Sequence, residues 1–296
     1  MPQSSLILCF PECEQQVVAL ANTTGLPWKE VNIHRFPDGE SKLTLPQKLP
    51  AHIIIYRSLD HPNDKLVELL LVAAAARKQG CTQITLVAPY LCYMRQDIAF
   101  NPGEVVSQKI IGHILAEYFD TVITVDAHLH RIQHLSEAIP LQTAINLTAT
   151  HPMADFLKQT IDNPFLIGPD EESEQWVAAT ADFQGFDYSV AHKERHGDKD
   201  VTIQLPHADY KGRHIVLLDD VASTGRTLEI AAKGLIPFQP ASVSVLVTHA
   251  LFVDDAIERL QQLGINNIWS CDSVVHASNR ISLAGLLGEC VSGLNL

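Results

Sequence analysis

The chain lacks the features that mark several large classes of protein. Its 296 residues carry a formal net charge of −13, so it has no general attraction for nucleic acid or for anionic membranes. Its six cysteines form no Cys-x-x-Cys pair and no regular framework, which is typical of reduced thiols in the cytoplasm. We find no charged-then-apolar leader and no apolar run of membrane-spanning length. We therefore expect a cytoplasmic protein without nucleic-acid or membrane partners.

Hydrophobic residues make up 46% of the chain and charged residues 19%, enough for a sizeable core. Short apolar runs alternate with helical patterns throughout. A strand over His52–Tyr56, for example, precedes a helix over Asp64–Gln79, with Asn63 as its N-cap and Gly80 as its stop. This alternation predicts βαβ units and mostly parallel sheets with both faces buried. Ligands of such sheets bind beyond the carboxyl ends of the strands.

Both halves of the chain show the same rhythm, although no exact internal repeat is visible. We therefore predict an α/β protein of two similar domains, 1–146 and 147–296. The tail helix of the second domain is free to pack back on the first.

The most informative segment is Ile215–Leu228, in which a buried strand leads into Asp219 and Asp220. A small turn and a helical pattern follow. The turn consists of Ser223, Thr224, Gly225, Arg226 and Thr227. Its backbone N–H groups, at a helix N-terminus, form an anion site. Because the aspartates can accept hydrogen bonds from sugar hydroxyls, the segment predicts a site for a sugar phosphate, most simply a pentose 5-phosphate. The alternative is an ordinary capped helix.

Five further segments carry clustered polar residues. They are His34–Glu40, Pro89–Asp97, Asp126–His128 with Ile132–Gln133, Gly168–Asp170 and His192–Arg195. Together with the Asp219–Thr227 loop, their order and spacing resemble the ribose-phosphate pyrophosphokinases (PRPP synthetases). The resemblance implies two phosphoribosyltransferase-like domains, each with a mostly parallel sheet flanked by helices. The ATP side would lie in 1–146 and the ribose 5-phosphate loop in 147–296.

The resemblance implies an enzyme that transfers the diphosphoryl group of ATP to the 1-hydroxyl of ribose 5-phosphate, giving PRPP and AMP with Mg²⁺. One alternative is a phosphoribosyltransferase that uses PRPP, which shares only the sugar loop. Another is a catalytically silent regulatory homologue. The presence of both Lys193 and Arg195 disfavours that second alternative.

On the ATP side, the resemblance implies that Phe36 stacks on adenine while Asp38 and Glu40 accept from its amino group. In the family this turn reaches the ATP site of a neighbouring subunit, which implies a homodimer or higher homo-oligomer with a shared adenine site. Arg95 and Gln96 would contact the phosphates and adenine, since a guanidinium pairs well with phosphate oxygens. Taken alone, Pro-Asp-Gly is an ordinary hairpin turn and Arg95 a surface arginine.

His128 and Asp170 would hold magnesium near ATP. Imidazole is not a favoured magnesium ligand, so we expect His128 to act partly through bound water or directly on phosphate. A zinc site from His128, His130 and His134 is the less favoured alternative, because no cysteine or second cluster completes it. His130 and His134 are expected to have structural or surface roles.

Lys193 and Arg195 would be the catalytic pair on the polar, flexible stretch 193–200. Diphosphoryl transfer needs positioning and charge compensation, which two cations on a closing loop supply. The alternative is a solvated run of charge. On the sugar side, Asp219 and Asp220 would take the ribose hydroxyls and the turn amides the 5-phosphate. Asp170 would also belong to the ribose 5-phosphate site.

The chain departs from the family pattern in three places. Ser223 stands where many members carry an acid, which places the chain nearer the archaeal-type branch. Phe100 lies near the position of an expected aspartate. The acidic stretch 171–173 replaces a small, glycine-rich turn, which adds charge near the sugar.

Overall fold

The computed structural model describes residues 5–195, 201–206, 208–265 and 267–294, with only the backbone for 193–195, 201 and 202. The chain forms two compact units. The first runs to Leu147 and includes the chain from Leu283 onward, and the second is Thr148–Ser282.

Strands and helices alternate along both units. The strands are β1 Leu6–Cys9, β2 Trp28–Glu30, β3 Asn32–Arg35, β4 Ser41–Thr44, β5 His52–Tyr56, β6 Gln83–Val87, β7 Thr121–Val125, β8 Thr143–Leu147, β9 Phe165–Gly168, β10 Asp187–Val190, β11 His192–Arg195, β12 Val201–Gln204, β13 His214–Ala222, β14 Ser242–Ala250, β15 Ile268–Cys271 and β16 Asn279–Ile281. The helices are α1 Glu14–Thr24, α2 Pro62–Lys78, α3 Ser107–Tyr118, α4 Thr150–Thr160, α5 Glu174–Gln184, α6 Arg226–Leu235, α7 Ala256–Gln262 and α8 Ala284–Gly293.

The first unit is built on a parallel sheet of order β2-β1-β5-β6-β7-β8. Every residue of β1, β5 and β7 is buried, as expected for central strands covered on both faces. Helix α8, from the end of the chain, packs on α1. A Cβ at Gly288 would lie 2.5 Å from the Thr23 side chain, so this close approach requires glycine.

The second unit repeats this architecture. Its parallel sheet has the order β10-β9-β13-β14-β15-β16, which is the same order when each sheet's strands are counted along the chain. In both units an antiparallel hairpin, β3–β4 or β11–β12, precedes the third strand of the sheet. Helices α1 and α5 each have 11 residues and each end at a left-handed glycine, Gly25 or Gly185. The predicted fold class is therefore confirmed.

Some predicted boundaries were wrong. Helix α2 begins at Pro62, and its N-cap is His61 rather than Asn63. The Asn63 side chain instead accepts a hydrogen bond from the Tyr93 hydroxyl, so it is used for tertiary contact. Gly80 does end the helix region, with a φ of +100°. Among the described residues, no helix is both long and apolar enough to cross a bilayer.

Candidate functional site

The two aspartates of the sugar-phosphate segment lie on β13 itself, not after it. The predicted strand ended at Leu218, but pairing with β14 continues to Ala222 opposite Ala250. Asp220 is buried, Asp219 is partly buried, and the Asp220 N–H donates to Asp219 Oδ1 at 3.0 Å. Both carboxylates thus lie within a β-strand, with Asp219 paired to Val247, which is a stiffer support than a loop.

A third carboxylate joins them, because Asp170 lies after Pro169, just past the end of the neighbouring strand β9. Burial raises the pKa of Asp219 well above its ordinary value, and the charges of Asp220 and Asp170 raise it further. The structure therefore brings these three predicted residues together as mutually repelling acids. Oxygen donors clustered in this way match the preference of a hard divalent cation, so Asp170, Asp219 and Asp220 fit Mg²⁺.

The predicted phosphate turn leads directly into α6. Gly225 is its N-cap in a left-handed conformation (φ +66°), and the Arg226 N–H donates to Thr224 Oγ1 at 3.4 Å. The Ser223 carbonyl accepts from the Val253 N–H at 3.0 Å. The first-turn N–H groups of α6, including that of Thr227, lie at the positive end of the helix dipole, where an anion is favoured.

Arg259, which was not predicted from the sequence, fixes the backbone of this turn. Arg259 on α7 donates to the Thr224 carbonyl at 2.6 Å and pairs with Glu229 at 3.1 Å. Glu229 is buried and also pairs with Lys233 and Arg226. The hydrogen bond from Lys233 keeps the pKa of Glu229 below its ordinary value in spite of burial. The helical spacing of Glu229 and Lys233 was a usable signal, but nothing in the sequence pointed to Arg259.

In the first unit, the predicted adenine turn forms the tip of the β3–β4 hairpin. The Phe36 N–H donates to the Glu40 carbonyl at 2.8 Å, and the Glu40 N–H donates to Asp38 Oδ1 at 3.2 Å. Gly39 takes the required positive φ of +93°. Phe36 is 42% exposed and contacts only the edge of His34 among aromatic rings of the described residues. The interpretation of this segment as a hairpin turn is correct for the backbone. In this turn Phe36, Asp38 and Glu40 are exposed.

An ion pair and a hydrogen bond to the buried Glu68 attach this hairpin to α2. Arg35 pairs with Glu68 at 3.0 Å, and the Ser41 hydroxyl donates to the same carboxylate at 2.6 Å. Glu68 pairs in turn with Arg57 at 2.7 Å, and each side chain is 1% exposed. Burial alone would raise the pKa of Glu68, but hydrogen bonds from Ser41 and Arg57 and the arginine charges outweigh it and lower this pKa.

The Arg-Gln turn follows the carboxyl end of β6. Arg95 is exposed, and the partly buried Gln96 donates from its side chain to the Ile98 carbonyl at 3.0 Å. The buried Gln108 braces the turn, since its backbone N–H donates to the Gln96 carbonyl and its side chain to the Met94 carbonyl. The turn is therefore held in one backbone conformation.

His128 follows the end of β7, the strand next to β6. Asp126 adopts a positive φ of +41° there, a strained conformation of the kind that occurs at functional sites. The partly buried His128 ring contacts the His130 ring edge-on at 4.2 Å between centroids. His134 caps a short 3-10 turn together with Glu137, which gives it a structural role. The Arg95 turn and the His128 loop thus lie at the same edge of the sheet.

The predicted catalytic pair falls partly outside the described residues. Lys193 and Arg195 lie on β11, opposite Ile203 and Val201 of β12, rather than in an irregular loop. Their side chains, and residues 196–200, are outside the described part of the chain.

Two family models match the chain. The N-terminal domain of ribose phosphate pyrophosphokinase matches residues 6–118, and the phosphoribosyl transferase domain matches residues 145–275. A ribose-phosphate pyrophosphokinase of Methanopyrus kandleri is 31% identical over 88% of this chain and 89% of its own. The chain belongs to the ribose-phosphate pyrophosphokinase family. A ribose-phosphate pyrophosphokinase of Saccharolobus solfataricus is 30% identical over 86% of this chain and 88% of its own.

A solved structure shows the same fold. The phosphoribosylpyrophosphate synthetase of Mycobacterium smegmatis matches with a TM-score of 0.82 and 18% identity, over 98% of each chain. The family and enzyme class predicted from the sequence are thus confirmed. The phosphoribosyltransferase and the silent homologue are not favoured. The roles of individual residues stay predictions.

Proposed function

We propose that this enzyme acts on ATP and ribose 5-phosphate and gives PRPP and AMP. The observation that carries the proposal is the carboxylate cluster on β13 and just after β9, beside the N-terminus of α6. Repelling carboxylates favour hydroxyl donors and a divalent cation, and the adjacent helix N-terminus favours an anion. A sugar phosphate offers hydroxyls and an anion together.

On the ribose side, Asp219 and Asp220 accept hydrogen bonds from the ribose hydroxyls. The 5-phosphate binds the N–H groups of the Ser223–Thr227 turn, where Thr224 and Thr227 add hydroxyl donors. Arg259 keeps the turn in place through the Thr224 carbonyl. Because the turn is pre-organised, little ordering entropy is lost when phosphate binds.

On the nucleotide side, Phe36 stacks on adenine, and Asp38 and Glu40 accept from the adenine amino group. Arg95 and Gln96 contact the nucleotide from the braced turn after β6. His128 contacts the phosphates directly or through water. These roles are supported by the exposure of the hairpin tip and of Arg95.

Asp170, with Asp219 and Asp220, would hold Mg²⁺ by carboxylate oxygens, whereas His128 would act through a water ligand. When bound, Mg²⁺ neutralises phosphate charge. The 1-hydroxyl oxygen forms a bond to the β-phosphorus, the bond from that phosphorus to the bridging oxygen of the α-phosphate breaks, and AMP leaves with its electron pair while the hydroxyl proton is released. Lys193 and Arg195 compensate the charge on the transferred group.

One assay tests the proposal against its alternatives. Purified protein is incubated with ATP, ribose 5-phosphate and Mg²⁺, and AMP and PRPP are quantified. Formation of both in equal amounts, abolished by a chelator of divalent cations, supports the proposal. In a parallel incubation, consumption of PRPP with a nucleobase, without release of AMP from ATP, would favour a phosphoribosyltransferase. No turnover of either kind would favour a silent homologue.

We further propose a homodimer or higher homo-oligomer in which the exposed hairpin tip completes the adenine pocket of a partner subunit. Inactive Phe36→Ala/Asp38→Ala protein is mixed with inactive Lys193→Ala protein, and the subunits are allowed to exchange. Recovered activity supports a shared site. No recovery despite demonstrated exchange would show that each chain holds its own complete site. We place the enzyme in the cytoplasm, where its six free thiols stay reduced.

A further inference from the structure

An ion pair links the Arg95 turn to the loop that carries His128. Arg131, in that loop, pairs through Nη1 with Asp97 Oδ1 at 2.6 Å. This distance is typical of a strong, charge-assisted hydrogen bond. Because β6 and β7 are adjacent in the sheet, the pair joins the segments that follow two neighbouring strands.

The two partners are unequally buried. The Asp97 side chain is 2% exposed, whereas that of Arg131 is 49% exposed. The second Asp97 oxygen, Oδ2, is buried and has no hydrogen-bond partner among the described residues. A buried carboxylate with one bonded oxygen depends strongly on that bond, because an unpaired buried charge is costly. Arg131 is therefore held in one place by Asp97.

A second contact restricts the same guanidinium. The Phe100 ring centroid lies 5.7 Å from the Arg131 guanidinium carbon, within the range of a cation–π contact. Farther along the loop, the N–H groups of Gln133 and His134 both donate to Glu137. The loop is thus fixed by Arg131 in its middle and by Glu137 at its end.

From this geometry we propose that Asp97 and Arg131 are positioning residues, which set the Arg95 guanidinium and the His128 imidazole in one arrangement for ATP. The proposal rests on the proposed function, because Arg95 and His128 are the residues given to the nucleotide. It adds that neither Asp97 nor Arg131 contacts substrate. Each acts through the backbone of the segment that carries its functional neighbour.

The test is a double-mutant cycle of Arg131→Ala, Asp97→Ala and both together. Displacing a binding group by about 1 Å costs on the order of 10²-fold, so we expect each single variant to lower kcat/KM for ATP by roughly 10- to 100-fold. KM for ribose 5-phosphate should change by less than about twofold. The double variant should be little worse than the poorer single variant, because residues of one pair are not additive. Arg131→Lys, which keeps the charge, should recover part of the loss.

The matched control is Arg77→Ala, which removes another arginine–aspartate pair of the first unit, that with Asp120. We expect it to leave both KM values near wild type. Additive losses in the double variant, equal losses toward both substrates, or wild-type kinetics in both single variants would overturn the proposal. Thermal unfolding identifies any variant that fails to fold, and Arg131→Lys then replaces it in the comparison.

Failure of the proposed function is recognised separately, as wild-type protein that forms no AMP from ATP and ribose 5-phosphate. In that case the pair is tested by calorimetric titration with a non-hydrolysable ATP analogue. Unchanged affinity in Arg131→Ala and Asp97→Ala would overturn the positioning role.

Discussion

The two units share one strand order but differ where the third strand of each sheet ends. In the first unit, β5 is followed by Arg57, whose buried guanidinium pairs with Glu12 at 2.8 Å and with Glu68 at 2.7 Å. In the second unit, the corresponding strand β13 carries Asp219 and Asp220, which repel each other. At the carboxyl end of the third strand, the first unit thus neutralises its charges with internal ion pairs. The second unit keeps acidic groups there that can bind a ligand.

Each unit also contains a buried glutamate that forms ion pairs with several basic side chains. Glu68 attaches the β3–β4 hairpin through Arg35. Glu229 holds Arg259, which in turn fixes the phosphate turn through the Thr224 carbonyl. The same device therefore supports a projecting hairpin in one unit and a binding turn in the other.

The largest effect is expected on stability, from removing the buried ion pair between Arg57 and Glu68 in the first unit. Glu68→Ala removes the main partner of the buried Arg57 and should lower the free energy of unfolding by about 3–5 kcal/mol, measured by urea denaturation. The matched control is Asp64→Ala, since Asp64 pairs with the same Arg35 at 3.3 Å but is exposed. It should cost about 1 kcal/mol or less. Equal costs for the two variants would contradict the comparison.

The two hairpins offer the next test. Lys193→Ala and Arg195→Ala should each lower kcat by about 10²–10³-fold, or about 2.7–4 kcal/mol, because a charge that acts mainly in the transition state is lost. KM for both substrates should change much less. Arg35 occupies the last position of β3, as Arg195 does of β11. Arg35→Ala should change kcat by less than about tenfold. Near-normal turnover in both the Lys193 and Arg195 variants would remove the second hairpin from the mechanism.

Removing a carboxylate from the acidic cluster of the second unit should give a smaller effect, limited to the affinity for one substrate. Asp220→Ala removes hydrogen bonds from a charged group, worth about 1.5–3 kcal/mol, and should raise KM for ribose 5-phosphate by roughly 10- to 100-fold. KM for ATP should stay within a few-fold of wild type in steady-state kinetics. The exposed Asp209 of the same unit is the control position. Lost ATP affinity with retained sugar affinity would show that the loop is wrongly assigned.

The smallest effect concerns the pH dependence of stability, to which the partly buried Asp219 and the buried Glu68 contribute in opposite ways. The pKa of Asp219 is raised, so between its ordinary and raised values the folded protein keeps a proton that the unfolded chain has released, and stability falls as pH rises through this window. Asp219→Asn, which keeps the Oδ1 acceptor for the Asp220 N–H, should therefore be more stable than wild type at pH 7.5 by on the order of 1 kcal/mol.

This gain should shrink in thermal melts at lower pH, as wild-type Asp219 becomes protonated. The pKa of Glu68 is lowered, so its contribution is present at neutral pH and is lost as pH falls through that lowered value. A gain from Asp219→Asn that stayed constant with pH would contradict the raised pKa of Asp219.

The sequence by itself determined the fold class and the family, because both depend on local patterns. Short apolar runs such as His52–Tyr56, set between helical patterns, indicate buried parallel strands, and Asp219–Thr227 is one continuous segment. The similarity of the two units was predicted from their common rhythm, but its detail was not, because that detail lies in strand order and in paired features such as Gly25 and Gly185 rather than in an exact sequence repeat.

Only the tertiary structure decided how the site residues are supported. Arg57 meets Glu12, Arg131 meets Asp97, and Arg259 meets Thr224 across long stretches of chain. Charged residues of this kind look like ordinary surface residues in sequence, because their burial and partners depend on which strands become neighbours. The placement of α8 is likewise decided by tertiary contact, because α8 joins the first unit through close packing on α1. The sequence near a residue does not reveal a side-chain partner that sheet order brings to it. It does reveal the strands and helices that bring the two together.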